Sequence, residues 1–130
     1  MRLKWSLLNL LINKMQEYKI DATNQILGRL ATKIAILLQG KNSVHYEPRL
    51  TGNIKVVVEN VSKIKFSGKK LNQKLYRHHT GYPGHLKSQT LRQVFEKNPK
   101  DVLRKAVWNM LPKNKLRSKR IKNLIIYPVK

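Results

Sequence analysis

"YKIDATNQILGRLATKIAILLQG" (Tyr18–Gly40), followed after a loop by "IKVVVENV" (Ile54–Val61), decides how this chain folds. "YKIDA" alternates apolar and polar residues, the period of a short strand. "TNQ" is a turn. Leu27, Leu30, Ile34 and Leu37 or Leu38 then recur at helical spacing, and Gly40 supplies a stop just past the last periodic residue. Ile54–Val61 is rich in β-branched residues without alternation, as expected of a strand buried on both faces. Strand, helix and strand in this order form a βαβ unit, with parallel strands and a right-handed crossover.

Working outward, "KIKFSG" reads as a further short strand, and the polar "KKLNQK" fits no single element. "QTLRQVFEK" is a short amphipathic helix with Leu91, Val94 and Phe95 inward. "NPKDVLRKAVWNML" carries helix start signals: Asn98 as N-cap, Pro99 at the first helical position and Asp101 in the first turn. Val102, Ala106, Val107 and Met110 would line its inner face, and Pro112 ends it. "KNKLRSKRIK" follows, six of its ten residues basic, and "LIIYPV" closes the chain as a last strand. There is no internal repeat and no linker that would divide the sequence into two domains.

The chain has 130 residues, of which 41% are hydrophobic. That suits one domain with a real core rather than a disordered basic tail. Its charge is far from balanced: 28 Lys+Arg against 6 Asp+Glu, a net charge of +22. The acids are Glu17, Asp21, Glu47, Glu59, Glu96 and Asp101, so two long acid-free territories remain, Lys63–Arg92 and Arg104–Lys130. Such a field opposes compaction unless something negative sits against it. Nucleic acid is the natural partner. An acidic membrane surface would call for a long amphipathic basic helix or a lipid anchor, and the body of the chain has neither. The absence of cysteine excludes disulfides and thiolate metal sites.

At the N-terminus, "MRLKWSLLNLLINKMQEY" has an apolar patch, Ser6–Ile12, that is interrupted by Asn9 and lacks a small-x-small cleavage site. It is neither a secretory signal nor a membrane span, which needs about 20 apolar residues. The absence of acids before Glu17 is compatible with an organelle presequence. The simpler reading is an extension, with Met15 as an alternative start. Residues 1–17 are therefore assigned to an extension and 18–130 to the domain.

Three of the four histidines fall in "YRHHTGYPGHLK" (Tyr76–Lys87). As a metal site it is poor. Adjacent histidines on an extended strand point apart, no acid is near to orient the rings, and the net charge repels a divalent cation. As an acid–base site it lacks an Asp or Glu partner for any histidine. As a phosphate-gripping segment it is well equipped. Gly81 and Gly84 permit close backbone approach, Arg77 and Lys87 bring charge, and His78, His79 and Thr80 bring donors for phosphate or ribose. Tyr76 and Tyr82 could stack on unpaired bases. In Lys113–Lys122, the residues Lys113, Lys115, Arg117, Lys119, Arg120 and Lys122 would cover most of a helix circumference. A solvated helix face normally mixes signs, so phosphates on several sides explain the run better. Gly28, Arg29 and Lys33 flank the start of the first helix, a third anion site, although Gly28 reads equally as a helix–sheet packing glycine. Lys41, Lys69 and Lys70 complete the candidate RNA contacts.

"IDATNQILGRLATKIAILLQGK" (Ile20–Lys41), "RHHTGYPGHLK" (Arg77–Lys87) and "VWNMLPKNKL" (Val107–Leu116) resemble the large-subunit ribosomal protein thirteen family of bacteria and organelles. The resemblance runs from about Tyr18 to Tyr127, with the segments in the family's order. It implies a three-layer α/β/α domain with a small, mostly parallel central sheet of about four strands, extended by basic loops and a C-terminal helix. It implies binding to large-subunit (23S-type) rRNA beside neighbouring ribosomal proteins, an early role in subunit assembly, no catalysis and no cofactor. Neither membrane association nor homo-oligomerisation is expected. The place implied is the large ribosomal subunit, cytoplasmic or organellar. Gly28 and Arg29 match the family's "LGRLA" helix start, His78, His79, Thr80 and Gly81 its "HHTG" loop, and Met110, Leu111, Pro112 and Lys113 its "MLPK" turn. The chain departs from the family pattern at three places. Gly84-His85 stands where two glycines are common, "RLTGN" lacks the usual acid, and Arg117 occupies a position often held by a small residue.

Two other functions compete. An RNA-processing or RNA-modifying enzyme would need a cofactor loop or an acid cluster for metal, and neither is visible. A regulatory RNA-binding protein acting off the ribosome would share the same basic surface.

Overall fold

The computed structural model describes residues 16–129. The N-terminal extension, its apolar patch Ser6–Ile12 and the alternative start at Met15 lie outside the described residues.

Strand β1 (Gln16–Asp21) pairs in parallel with β2 (Ile54–Glu59), from Gln16 opposite Ile54 to Asp21 opposite Glu59. Helix α1 (Leu27–Gln39) makes the crossover between them. The βαβ unit is therefore present, with β1 starting two residues earlier than its alternating pattern indicates. β2 is the central strand, and Val56, Val57 and Val58 are all buried, as an unalternated β-branched run requires. The inner stripe of α1 is Leu27, Leu30, Ile34, Leu37 and Leu38, all buried. Gly40 stops it at φ +76°, where Lys41 N–H donates to the Ile36 carbonyl at 3.3 Å. A side chain at Gly40 would be strained by that φ, and its Cβ would sit 3.3 Å from Ile54 Cδ1.

The entry to α1 is held differently from most helices. Its N-cap position, Ile26, has no side chain able to cap. Instead Ile26 bridges Lys65, and the Leu27 N–H donates to the Lys65 carbonyl at 3.1 Å. The strand expected in "KIKFSG" reduces to this bridge. It follows a short 3₁₀ turn, Val61–Lys63, whose Val61 is fully buried.

The remaining elements are α2 (Lys70–Gln73), β3 (Leu75–His79), β4 (Leu86–Thr90), α3 (Leu91–Lys97), α4 (Pro99–Met110), α5 (Leu116–Lys122) and β5 (Leu124–Ile126). β5 pairs in parallel with β2, Val56 opposite Leu124 through Val58 opposite Ile126, giving the order β1–β2–β5. The sheet expected to hold about four strands thus has three among the described residues. β3 and β4 form a separate antiparallel hairpin. The class is mixed α/β with a small parallel sheet. α1 packs on β2, α4 packs on α1, and α5 touches β5 and α4.

Local signals explain the helices of the second half. At the start of α3, Thr90 and Gln93 form a reciprocal capping box: Thr90 N–H donates to Gln93 Oε1 at 3.0 Å, and Gln93 N–H to Thr90 Oγ1 at 3.4 Å. Leu91 is buried, while Val94 and Phe95 pack half-buried on the core, with Phe66 edge-on to Phe95. At α4, Asn98 occupies the N-cap but its side-chain amide donates to Asp101 Oδ2 rather than capping the helix backbone. Val102 and Val107 are buried as expected, and so is Leu103. Met110, expected inward, is exposed, with Thr32 Oγ1 against its sulfur at 3.2 Å. Among the described residues no helix is long and apolar enough to cross a membrane.

Candidate nucleic-acid interface

The "RHHTG" segment is not a loop but the end of a strand and the start of a hairpin turn. Arg77 lies opposite Ser88, His78 opposite Lys87 and His79 opposite Leu86. Strand alternation puts Tyr76 and His78 on one face and Arg77 and His79 on the other. The adjacent histidines therefore cannot converge on one ion. Among the described residues no cluster of three or more His, Cys, Asp or Glu could hold a metal.

The six-residue turn, 80–85, is closed by Thr80 N–H donating to the His85 carbonyl at 3.3 Å. Gly81 and Gly84 both take positive φ, +92° and +72°, which is the local reason for glycine there. The turn also fixes its histidines. Gly81 N–H donates to His79 Nδ1 at 3.0 Å, so in this arrangement the ring proton of His79 is on Nε2. His85 Nδ1 lies 2.8 Å from the Pro83 carbonyl, which can only accept, so its proton is on Nδ1. Tyr82 is 71% exposed at the tip. Tyr76 is the hairpin's anchor: half-buried on the core, with Lys74 and Lys105 over its ring at 5.4 and 4.9 Å. Burial pushes its hydroxyl above the ordinary value of 10.0. Only Tyr82 of the two tyrosines is open to stacking.

Gly28, Arg29 and Lys33 are exposed at the start of α1. The Gly28 and Arg29 amides precede the first intrahelical bond, which Leu30 N–H makes to the Ile26 carbonyl. A Cβ built on Gly28 meets nothing within 4 Å. The helix–sheet packing reading of this glycine therefore fails. Nearby, Asp21 accepts from Thr23 N–H, Thr23 Oγ1 and Asn60 Nδ2 at 3.0, 2.7 and 3.1 Å, which hold its carboxyl below the ordinary value of 3.8. Lys41, Lys69 and Lys70 are exposed, Lys70 donating to Ser67 Oγ.

The C-terminal basic run divides. Lys113, Lys115, Lys119 and Lys122 are exposed. Arg117 is half-buried, its guanidinium 4.3 Å from the Trp108 ring centroid and hydrogen-bonded to the Trp108 carbonyl. Arg120 is 2% exposed and donates through its terminal nitrogen to the carbonyls of Pro48 and Leu50, at 3.3 and 3.0 Å. This corrects the sequence expectation at one point. Arg120 leaves the candidate phosphate contacts, because its charge faces the 41–53 loop from inside the protein.

The family model described as Ribosomal protein L13 matches residues 15–130. The chain belongs to this family. Among curated relatives, the large ribosomal subunit protein uL13 of Geobacter sulfurreducens is 48% identical over 110 residues, covering 85% of this chain and 77% of the relative. The namesake from Clostridioides difficile is 49% identical over the same shares, and that from Thermotoga petrophila 47%, covering 85% and 74%. The L13 family match begins at Met15, so it takes in the first residues of β1.

Of the sequence-derived candidates, the L13 fold gathers Arg77, His78, His79, Thr80, Gly81 and Lys87 onto one hairpin. Gly28, Arg29 and Lys33 belong to the first turns of one helix. Sequence reasoning missed a cleft of about 510 Å³ beside that helix start, lined from α1, α2, α3, α4 and the Phe66 loop. Its walls are too far apart in sequence for any local motif to announce it.

Proposed function

We propose that this chain binds large-subunit rRNA as a structural constituent of the large ribosomal subunit and supports early subunit assembly, without catalysis or a cofactor. The observation that carries the reading is the hairpin Leu75–Thr90. It stands almost wholly exposed, contains no acid and presents Arg77, His78, His79 and Lys87 on its two faces. A two-stranded hairpin with both faces in water is marginal by itself. Packing of Tyr76 on the core anchors its root, and phosphate and ribose contacts are the natural stabiliser of the rest. Family membership supports the same reading. The contacts assigned to rRNA are Gly28, Arg29, Lys33, Lys41, Lys69, Lys70, Arg77, His78, His79, Thr80, Gly81, Lys87, Lys113, Lys115, Lys119 and Lys122. Arg117 contributes through its stack on Trp108 rather than as a free charge. Neighbouring ribosomal proteins complete its surroundings in the subunit. Sedimentation of the endogenous protein through a high-salt gradient tests the assignment. It should travel with the large subunit, and its recovery only in soluble fractions would refute it.

A further inference from the structure

We infer that the cleft between the start of α1 and α4 receives one unpaired nucleotide of rRNA, base inward and phosphate at the rim. This deepens the rRNA-binding reading and rests on it. At about 510 Å³ the cleft has the size of a small-ligand site. Its apolar lining comes from Ile26, Leu27, Phe66, Leu91, Ala106 and Met110. Its polar side chains are two amides, Gln73 and Asn109, two lysines, Lys70 and Lys74, and Ser67, whose hydroxyl accepts from Lys70 Nζ at 3.2 Å; among the described residues no acid lines it. A ligand that fits must combine a flat apolar body, an edge that both donates and accepts hydrogen bonds, and a negative charge. An unpaired nucleotide has all three. The amides match the base edge, and the lysines match the phosphate.

Two further observations favour RNA over a protein segment. The cleft lies at the root of the hairpin: Lys74 directly precedes β3, and its carbonyl accepts from the Leu91 N–H at 2.8 Å. A strand of RNA held by the hairpin would pass its mouth. Gly28 also forms part of the wall. Glycine is a poor helix former. Its φ here is not positive, and an added Cβ would meet nothing within 4 Å beyond its chain neighbours and its own helix backbone. Neither backbone nor packing within the chain requires glycine, whereas a close-lying ligand does.

The test compares Gly28→Ala and Ala106→Leu with the unaltered chain, using a large-subunit rRNA transcript as the probe. Gly28→Ala should raise the melting temperature, because alanine favours the helix, and yet weaken rRNA binding roughly tenfold. Its salt slope should stay unchanged, since the substitution removes no charge. Ala106→Leu should weaken binding in the same way from the opposite wall. Affinities equal to that of the unaltered chain would overturn the inference while leaving rRNA binding itself standing. If the unaltered chain does not bind the transcript, the functional reading and the inference fall together. A benzophenone amino acid in place of Met110, irradiated in the assembled subunit, should crosslink to rRNA. A crosslink to a neighbouring protein or to a second copy would overturn the assignment.

Discussion

Arg120 places a guanidinium inside the protein with two backbone carbonyls as partners, and among the described residues its Nε has none. A buried cation without a carboxylate is an expensive group, so the loop it holds must depend on it. Truncation by Arg120→Ala should lower stability by about 2 kcal/mol, from two orphaned carbonyls and the removed side-chain volume. Lys119→Gln, one residue away and exposed, should stay within about 0.5 kcal/mol. Chemical denaturation of the two variants checks this, and equal small effects would remove the anchor role. Asp21 offers a second test at this scale. Its pKa is lowered, first by the Thr23 backbone and side-chain hydrogen bonds and then by Asn60. It therefore adds stability above the ordinary value of 3.8, and that increment is lost as pH falls through the lowered folded value. Asp21→Asn should be less stable than the unaltered chain at neutral pH, and the gap should close on acidification. A gap that widened with acid would contradict the hydrogen-bond account. Asp21 is solvent-exposed, so the effect is small.

The elements differ in how they are held. α1 has a buried stripe, a left-handed glycine stop and a backbone clamp at Lys65, so its stability comes from packing. The β3–β4 hairpin has one packed residue of note, Tyr76, and otherwise faces solvent. In the free protein its amides should exchange with solvent by local opening, far faster than those of β2. On rRNA binding their protection should rise by at least about tenfold, as the proposed phosphate contacts of the hairpin require. Hydrogen exchange read by mass spectrometry on peptides spanning 75–90 and 54–59 separates the two. Protection of the hairpin equal to that of β2 in the free protein would show that it needs no partner.

At the scale of the whole molecule, six acids cannot neutralise 28 Lys+Arg. Arg49 pairs with Glu47 and Arg92 with Glu96, both on the surface, where ion pairs contribute little. The remaining field should make rRNA affinity fall steeply with salt, with a log–log slope of several units. Changing Lys119 and Lys122 together to glutamine should reduce that slope by roughly one unit for each phosphate left without its lysine. The same change at Lys4 and Lys14, outside the described residues, removes equal charge and should leave the slope near its original value. Equal reductions in both variants would mean that total charge matters and position does not.

Periodicity was enough for the βαβ unit, because Leu27–Leu38 at helical spacing and the Ile54–Val61 run each carry their burial pattern in adjacent residues. Net charge was enough to point to a polyanion, since charge is additive and needs no coordinates. Gly81 and Gly84 were read as points of close approach to phosphate, and their positive φ adds a backbone reason for glycine that the sequence reading did not use. Tertiary contact decided the rest. Lys119 and Arg120 are alike in sequence, and only the carbonyls of Pro48 and Leu50, some 70 residues away, separate a surface charge from a buried one. The separate hairpin arose because β3 has β4 beside it and no register with β2. Gly28 read equally well as a packing glycine or a contact point until the empty space around it was seen. Sequence patterns record what each residue prefers of its surroundings. Which distant segment supplies those surroundings is set only when the whole core closes.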